Sequence, residues 1–141
     1  MRGAKGFARI GAATLLAGVG GLLAAGASHA DDPVLHQVTY TIFSEKPTFA
    51  EIYYRDTDPQ DFAQYSHDPY MFSPNVEAQV GPDNKWVLNV SLVNPDQWAM
   101  VTASSGQSPN QPNFHCVLAV DGVVVDTGAG PKGALCSIRN W

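Results

Sequence analysis

The chain has 141 residues, with 8 Lys or Arg against 13 Asp or Glu and a formal net charge of −5 at pH 7. This length suits one domain of ordinary size. The acidic balance opposes binding to nucleic acid and to anionic lipid headgroups, because both attract proteins through clustered Lys and Arg.

The first thirty residues have the pattern of a secretory signal peptide. Basic residues precede an apolar run over residues 10–25, and Ser28 and Ala30 put small side chains at the two positions that signal peptidase reads. We therefore expect cleavage after Ala30, which leaves residues 31–141 as a single secreted or envelope-located domain. The alternative is an uncleaved membrane anchor, for which the apolar run is short, since a crossing takes about 20 apolar residues.

Cleavage would remove three basic residues and no acidic ones, so the exported domain would carry five basic residues against thirteen acidic ones, a formal net charge of −8. We therefore expect no nucleic-acid partner. The simplest role of this acidity is to keep an exported domain soluble.

Beyond residue 36 the hydrophobic period is two, which is typical of β-strands. Two strands are predicted near residues 38–42 and 50–54, joined by a short turn at residues 45–47. A polar segment over residues 56–69 follows. One helical turn that begins at Asp58-Pro59 is predicted there, because Asp is a good N-cap and Pro is tolerated at the first helical position.

Three further strands are predicted at residues 76–80, 85–93 and 97–104. The intervals between them contain the turn-forming sequences Gly-Pro-Asp-Asn and Asn-Pro-Asp. A Ser/Gln/Asn/Pro-rich stretch over residues 105–112 is predicted to be a solvated connection to the last unit.

The last unit, residues 114–138, holds the only two cysteines and the strongest hairpin signal. Asp121-Gly122 between apolar runs predicts a two-residue turn. Cys116 and Cys136 both lie on the apolar side of a strand, so we expect them to form a disulfide. Pairing that is symmetric about the turn places Cys116 opposite Thr127, so Cys136 must come from the strand after the hairpin.

Seven or eight short strands, with no helical period of ten residues after the leader, predict an all-β fold. The expected architecture is an antiparallel β-sandwich of immunoglobulin-like type with one disulfide. A small closed barrel is the alternative. The immunoglobulin pattern of a Trp between two distant cysteines is absent.

The residues show no catalytic or metal-binding pattern, so we expect no enzymatic activity, no metal and no cofactor. His36, His67 and His115 lack the short spacing of zinc ligands, although their convergence on a metal remains a weaker hypothesis. A small hydrolase is also the weaker alternative, because no Gly-x-Ser-x-Gly element occurs.

The polar segment and its flanks are rich in aromatic residues, which suits a binding surface because the Tyr ring is apolar and its tip is polar. The simpler interpretation is that these rings close one open end of the sandwich, since aromatic residues are more often packed than functional. The candidate binding surface consists of Tyr53, Tyr54, Phe62, Tyr65, Tyr70 and Phe72.

Three short motifs carry a family resemblance: Val-Thr-Tyr-Thr-Ile at residues 38–42, Ala-Glu-Ile-Tyr-Tyr-Arg-Asp at residues 50–56, and Cys116-x-x-x-x-Asp-Gly with a second cysteine at position 136. They resemble the soluble domain of the small mycobacterial membrane proteins of the MmpS type. The resemblance implies a disulfide-linked β-sandwich outside the membrane that assists an RND-type transporter in exporting lipids or siderophores. The cleavable leader departs from that family, whose members keep a transmembrane helix.

The sequence thus predicts a non-enzymatic binding protein, secreted or located in the cell envelope, with an RND-type transporter as one expected partner. The alternative is a free secreted protein that binds a small apolar ligand or a host or envelope protein.

Overall fold

The computed structural model describes residues 33–140, which form two antiparallel four-stranded sheets packed face to face. The sheets have the strand orders β4-β1-β6-β7 and β3-β2-β5-β8. The predicted antiparallel β-sandwich of seven or eight strands is therefore confirmed, with eight strands. The signal peptide predicted for residues 1–30 lies outside the described residues. The strands are β1 (His36–Ser44), β2 (Thr48–Tyr54), β3 (Asn75–Val80), β4 (Trp86–Leu92), β5 (Met100–Ser104), β6 (Phe114–Val120), β7 (Val123–Gly130) and β8 (Gly133–Ser137).

Helical structure in the described residues is confined to three short segments. They are α1 (Phe62–His67), a 3₁₀ helix (Pro69–Phe72) and α2 (Pro95–Trp98). None of these segments has the length and hydrophobicity that a membrane crossing requires.

The apolar side chains of the period-two pattern fill the space between the sheets. Val38, Tyr40 and Ile42 of β1 are fully buried, and so are Ile52 and Val101 of the opposite sheet. Alternation places every second side chain of a strand on one face, so the apolar set of each strand reaches the core together. Burying an aliphatic side chain of this size contributes about 1.5 to 3 kcal/mol relative to leaving it in water.

The turn after β1 carries the chain from one sheet to the other. β1 pairs with β4 and β6, whereas β2 pairs with β3 and β5. The backbone N–H groups of Glu45 and Lys46 donate to the carbonyl of Pro112 at 3.1 Å. The first two predicted strands are thus neighbours in sequence that belong to different layers.

The strand predicted over residues 97–104 is shorter than expected, because Pro95 begins α2. The N–H groups of Trp98 and Ala99 donate to the carbonyls of Asn94 and Pro95 at 3.0 and 2.9 Å. Proline suits the first helical position, where its missing N–H costs nothing. Trp98 therefore lies buried at the end of the sandwich and is not part of β5.

The helical turn predicted from Asp58 begins three residues later. The Asp61 side chain caps α1 by accepting the Gln64 N–H at 2.8 Å. The Asp58 carboxylate instead accepts the N–H groups of Val93 and Asn94 at 2.8 and 2.9 Å. The prediction was wrong because Asp58 satisfies donors that lie 35 and 36 residues away, which local sequence cannot show.

The β6–β7 hairpin turns at the predicted pair. Asp121 and Gly122 have φ values of 51° and 83°, as the two-residue turn that matches strand twist requires. Gly tolerates positive φ without cost, and Asp is one of the side chains that tolerate it best. The turn prediction is confirmed.

The register of this hairpin differs from the symmetric one. A β-bulge between Leu118 and Ala119 adds a residue to the β7 side, so Cys116 lies opposite Gly128 and not opposite Thr127. Bulges of this kind bend a strand and increase its twist. The cysteine pairing is unaffected, because its partner comes from β8 in either register.

The disulfide between Cys116 and Cys136 joins the two sheets, and its prediction is confirmed. The Cα atoms lie 6.1 Å apart, and both residues are buried. The bond closes a loop of 20 residues. In the chain-entropy model such a loop contributes about 3 kcal/mol to stability.

Two glycines of β7 allow its backbone to approach β8 closely. A Cβ atom on Gly128 would lie 2.5 Å from the Leu135 carbonyl oxygen and 3.1 Å from the Cys116 Sγ. A Cβ atom on Gly130 would clash with the carbonyl of Gly133 in the same way. The missing side chains let the corner of the sandwich close and bring β8 within reach of the disulfide.

We expect Gly128→Ala to destabilise the protein by about 1 to 3 kcal/mol, because the added methyl meets backbone that cannot move freely. Gly81→Ala is the matched control, since its Cβ would meet Pro47 atoms at 3.5 Å and beyond, which is ordinary contact. Urea unfolding followed by fluorescence measures both variants. Equal midpoints for Gly128→Ala and Gly81→Ala would show that the corner is not tightly packed.

Two histidine–carboxylate pairs clamp β1 to β6 at opposite ends. His36 Nδ1 lies 2.7 Å from Asp121 Oδ2, and His115 Nε2 lies 2.8 Å from Glu45 Oε2. The hydrogen bond from His115 lowers the pKa of Glu45. The pKa of Asp121 is lowered first by its hydrogen bond with His36 and then by the N–H of Gln37. Both pairs are solvent-exposed, so each is weakly stabilising.

These lowered pKa values make stability depend on pH in the acid range. A carboxylate whose pKa is lower in the folded state stabilises the protein above its unfolded value and loses that contribution as pH falls through the folded value. We expect Glu45→Gln/Asp121→Asn to lose unfolding free energy less steeply than the wild type between about pH 5 and pH 2. Urea titrations at several pH values measure the slope, with Asp83→Asn in an exposed turn as control. An unchanged slope in the double variant would contradict the assignment.

Candidate functional site

A buried arginine organises one end of the sandwich. Arg55 directly follows β2 and is 0% exposed. Its Nε donates to the Phe72 carbonyl at 3.1 Å and its Nη2 donates to Ser73 Oγ at 3.3 Å. The guanidinium also lies 4.5 Å from the ring centroid of Tyr65 and 5.7 Å from that of Trp98. Burial lowers the pKa of Arg55, yet a guanidinium stays cationic in proteins.

The backbone of Arg55 is held from the opposite sheet. The Tyr40 hydroxyl of β1 donates to the Arg55 carbonyl at 2.6 Å and accepts the Met100 N–H at 3.3 Å. The Arg55 N–H donates to the Met100 carbonyl at 3.0 Å. Burial raises the pKa of Tyr40 to about 12, so the hydroxyl keeps the proton that it donates. One side chain thus connects both sheets beneath the segment that follows β2.

A second arginine contacts the same aromatic group. The guanidinium of Arg139 lies 4.9 Å from the Phe62 ring centroid and 5.7 Å from that of Trp98. Tyr65 lies 5.5 Å from Trp98 and 6.0 Å from Phe62, measured between ring centroids. Cation–π contacts of this kind contribute about 0.5 to 2 kcal/mol each. Together they hold α1 against the body of the sandwich.

The arginines and Trp98 are the part of this end that the sequence did not reveal. Strand alternation groups Arg55 with the outward side chains Glu51 and Tyr53 and does not indicate its burial. The available signal was an arginine at a strand end within a segment dense in aromatic rings, which suits a stacked and buried guanidinium.

Two of the six side chains predicted to form the binding surface are packed inside. Phe72 is only 6% exposed, and its carbonyl accepts the hydrogen bond from Arg55. Tyr54 points to the core side of β2 and contacts Trp86, with ring centroids 5.8 Å apart. These two fit the simpler interpretation, in which the rings close the end of the sandwich.

The other four candidates form a surface, together with one residue that the sequence did not single out. Tyr70 is 79% exposed, its neighbour Met71 is 66% exposed and Phe62 is 50% exposed. Tyr53 and Tyr65 are half-buried beside them. We call these five side chains the Tyr-rich surface. It adjoins an open groove of about 410 Å³. The groove is lined by Tyr53, Tyr65, Pro69, Tyr70, Ser73 and Met100.

The segment that carries the Tyr-rich surface is anchored at several points along its length. Arg55 holds the carbonyl of Phe72 and the hydroxyl of Ser73, and the Tyr54 N–H donates to the Pro74 carbonyl at 3.1 Å. The Asp58 carboxylate ties the first part of the segment to the end of β4. An exposed apolar group on an anchored backbone is pre-organised, so binding through it sacrifices little conformational freedom.

The three histidines do not converge. His36 and His115 contact carboxylates at opposite ends of the β1–β6 pair, and His67 is the exposed last residue of α1. Between residues 33 and 140 no three His, Cys, Asp or Glu side chains are grouped in a way that suits a metal ion.

The chain matches a known β-sandwich family. The model of the Rv2576c β-sandwich domain matches residues 40–136, so the chain belongs to that family. Its relatives include protein Rv2576c of Mycobacterium tuberculosis and protein Mb2606c of Mycobacterium bovis. Each is 40% identical to this chain over 110 residues, which is 78% of this chain and 71% of the relative. No solved structure matches the chain.

The resemblance to the MmpS type is therefore wrong, because the matching family and the relatives are of the Rv2576c type. The motifs that suggested it have a structural cause in this fold. Alternating β-residues and an Asp-Gly turn between two cysteines follow from a hairpin joined by a disulfide to the next strand, and that arrangement is not specific to one family. The ground for an RND-type transporter as partner disappears with the resemblance.

We expect Arg55→Met to lower the free energy of unfolding by about 1 to 3 kcal/mol, because the buried Phe72 carbonyl loses its donor. Hydrogen exchange should rise selectively over residues 56–74. Lys132→Met, in an exposed turn, is the control and should change neither quantity. If Arg55→Met left exchange in residues 56–74 as slow as in the wild type, the arginine would not be the anchor.

Proposed function

We propose that this protein is an exported, non-catalytic binding module that recognises a protein partner through its Tyr-rich surface. The observation that supports this most is the combination of exposure and anchoring. Tyr70 and Met71 lie largely in water, while the backbone beneath them is fixed by a buried arginine. Exposed apolar groups that a protein holds in place commonly mark interaction sites, and Tyr and Met are enriched at such sites.

A protein partner fits the shape of this surface better than a small apolar ligand. Pockets for small ligands are concave and bury most of the ligand surface. The groove beside Tyr70 is open, and the ring of Tyr70 is largely exposed. A flat or extended partner can cover such rings, whereas a small apolar molecule would leave much of its own surface in water.

The groove lining supports the absence of catalysis in this proposal. Tyr, Pro, Ser and Met side chains line it, without His, Cys, Asp, Glu or Lys among them. A Ser or Tyr hydroxyl becomes a catalytic nucleophile only beside an activating base such as His or Lys, and no such group lines the groove. The lining instead offers apolar area and hydroxyl groups, which suit recognition.

Export is the proposed localisation, and two features support it. The basic and apolar leader has the signal-peptide pattern, and Cys116 is joined to Cys136. Disulfides persist in oxidising compartments and are rare in the cytosol. We therefore propose that the protein works in the cell envelope or in the medium.

Site-specific crosslinking in the native cells tests the proposal. A photoreactive p-benzoylphenylalanine replaces Tyr70 in one strain and Val87 in another. Val87 is the control because it is exposed but lies on β4 of the other sheet. We expect a discrete protein adduct at position 70 and none at position 87. Equal capture at both positions would contradict the proposal, because the captured protein would then show no preference for the Tyr-rich surface.

The captured partner, once purified, permits a quantitative test. Tyr70→Ala should weaken its binding by about tenfold or more, since removing a central aromatic anchor typically costs more than 1 kcal/mol. Val87→Ala should bind like the wild type. Both variants should unfold like the wild type, because both side chains are exposed.

A further inference from the structure

The outer face of the β3-β2-β5-β8 sheet continues the Tyr-rich surface. Alternation along β2 places Phe49, Glu51 and Tyr53 on this face, and Ala50 and Ile52 in the core. Phe49 and the β8 residue Leu135 are both exposed. The face therefore presents apolar side chains to water in line with Tyr53, which also lines the groove beside Tyr70.

The charged residues in the strands of this sheet are all acidic. None of its four strands contains Lys, Arg or His, and its acidic residues are Glu51 and Glu77. These two are direct cross-strand partners in the β2–β3 register. Like charges in directly opposite positions destabilise a sheet. No cationic side chain of these four strands complements the two carboxylates.

The carboxylates and the rings lie in one line. A shallow depression of about 330 Å³ borders on Phe49, Glu51, Glu77 and Ser104. Tyr53 is two residues beyond Glu51 on the same strand face, which corresponds to about 7 Å along β2. A single extended chain can therefore contact the carboxylates and the groove at the same time.

We propose that the outer face of this sheet, together with the Tyr-rich surface, binds an extended, basic, proline-containing peptide segment of the partner. This inference rests on the proposed function. A Lys or Arg of the segment lies between Glu51 and Glu77, with its methylene stem on Phe49. A proline or aliphatic residue fills the groove beside Tyr53 and Tyr70, as proline-rich segments do in aromatic grooves.

The spacing within the segment follows from chain geometry. An extended proline-rich chain rises about 3.1 Å per residue, so a separation of about 7 Å corresponds to an offset of two to three positions, with one or two residues between the cation and the proline. Charge complementarity selects this partner over an acidic one, since an acidic segment would meet Glu51 and Glu77 with like charge. The basic group also removes the repulsion between the two carboxylates.

Titration of the ¹⁵N-labelled protein with synthetic decapeptides tests the inference. The probe contains Lys-x-x-Pro, and matched peptides carry norleucine or Glu in place of Lys, or Ser in place of Pro. We expect the Lys-x-x-Pro peptide to shift the amide signals of Glu51, Glu77 and Tyr70 and to bind about tenfold more tightly than the Glu peptide. The preference should shrink as salt is raised.

Matched variants distinguish the contribution of the two carboxylates to peptide binding from that of the groove. E51Q/E77Q should remove the preference for the Lys peptide, while Asp83→Asn, in a turn outside this face, should keep it. Tyr70→Ala should weaken the Lys-x-x-Pro and norleucine peptides alike. Spermidine serves as a competitor, and it should displace the peptide only weakly, since it offers charge without apolar contact.

Each outcome bears on the inference. If the norleucine and Glu peptides bind as tightly as the Lys peptide, or if spermidine alone reproduces the shifts, the basic peptide segment is wrong. If no peptide shifts this face while crosslinks at position 70 still capture a partner, the inference falls and the proposed function stands. If neither peptides nor crosslinks give a signal, both fall.

Discussion

Burying a guanidinium is costly, and one end of this sandwich is arranged to offset that cost. Arg55 loses its water completely and is compensated by a backbone carbonyl, a hydroxyl and the faces of Tyr65 and Trp98. These contacts can form only if residues 56–74 fold back over the sheet edge. The arginine therefore converts a polar connection, which composition alone would make a mobile loop, into a platform of fixed shape.

The opposite corner of the sandwich is closed without large side chains. Where β7 approaches β8, the absence of Cβ atoms on Gly128 and Gly130 lets the backbones meet. The disulfide then links the sheets a short distance inside. One end of the sandwich is thus closed by large aromatic and cationic groups, and the other corner by glycine and a covalent bond. This leaves the outer face of the β3-β2-β5-β8 sheet uncovered between them.

The parts that sequence could predict are those determined by near neighbours. Period-two alternation defined most strands, and Asp121-Gly122 defined its turn, since both depend on local backbone chemistry. The bulge at Leu118 and Ala119 has no local signature, because it reflects packing against another strand. Asp58 and Arg55 escaped prediction for the same reason: their hydrogen-bond partners are set by the tertiary fold. Of the candidate surface, the tyrosines were predictable from composition and the inward position of Tyr54 follows strand alternation, but the burial of Phe72 depends on the tertiary fold.

The hydrogen bonds of the Tyr40 hydroxyl link a core position of this family to the shape of its surface. The hydroxyl lies within the core, yet it bonds the carbonyl of Arg55 and the N–H of Met100, a groove residue. The core and the proposed recognition surface are therefore connected by hydrogen bonds to one oxygen atom. A relative that replaced this tyrosine by phenylalanine would retain nearly the same core volume while loosening its contact surface. Under the proposed function, changes in partner preference can thus originate at positions that no partner touches.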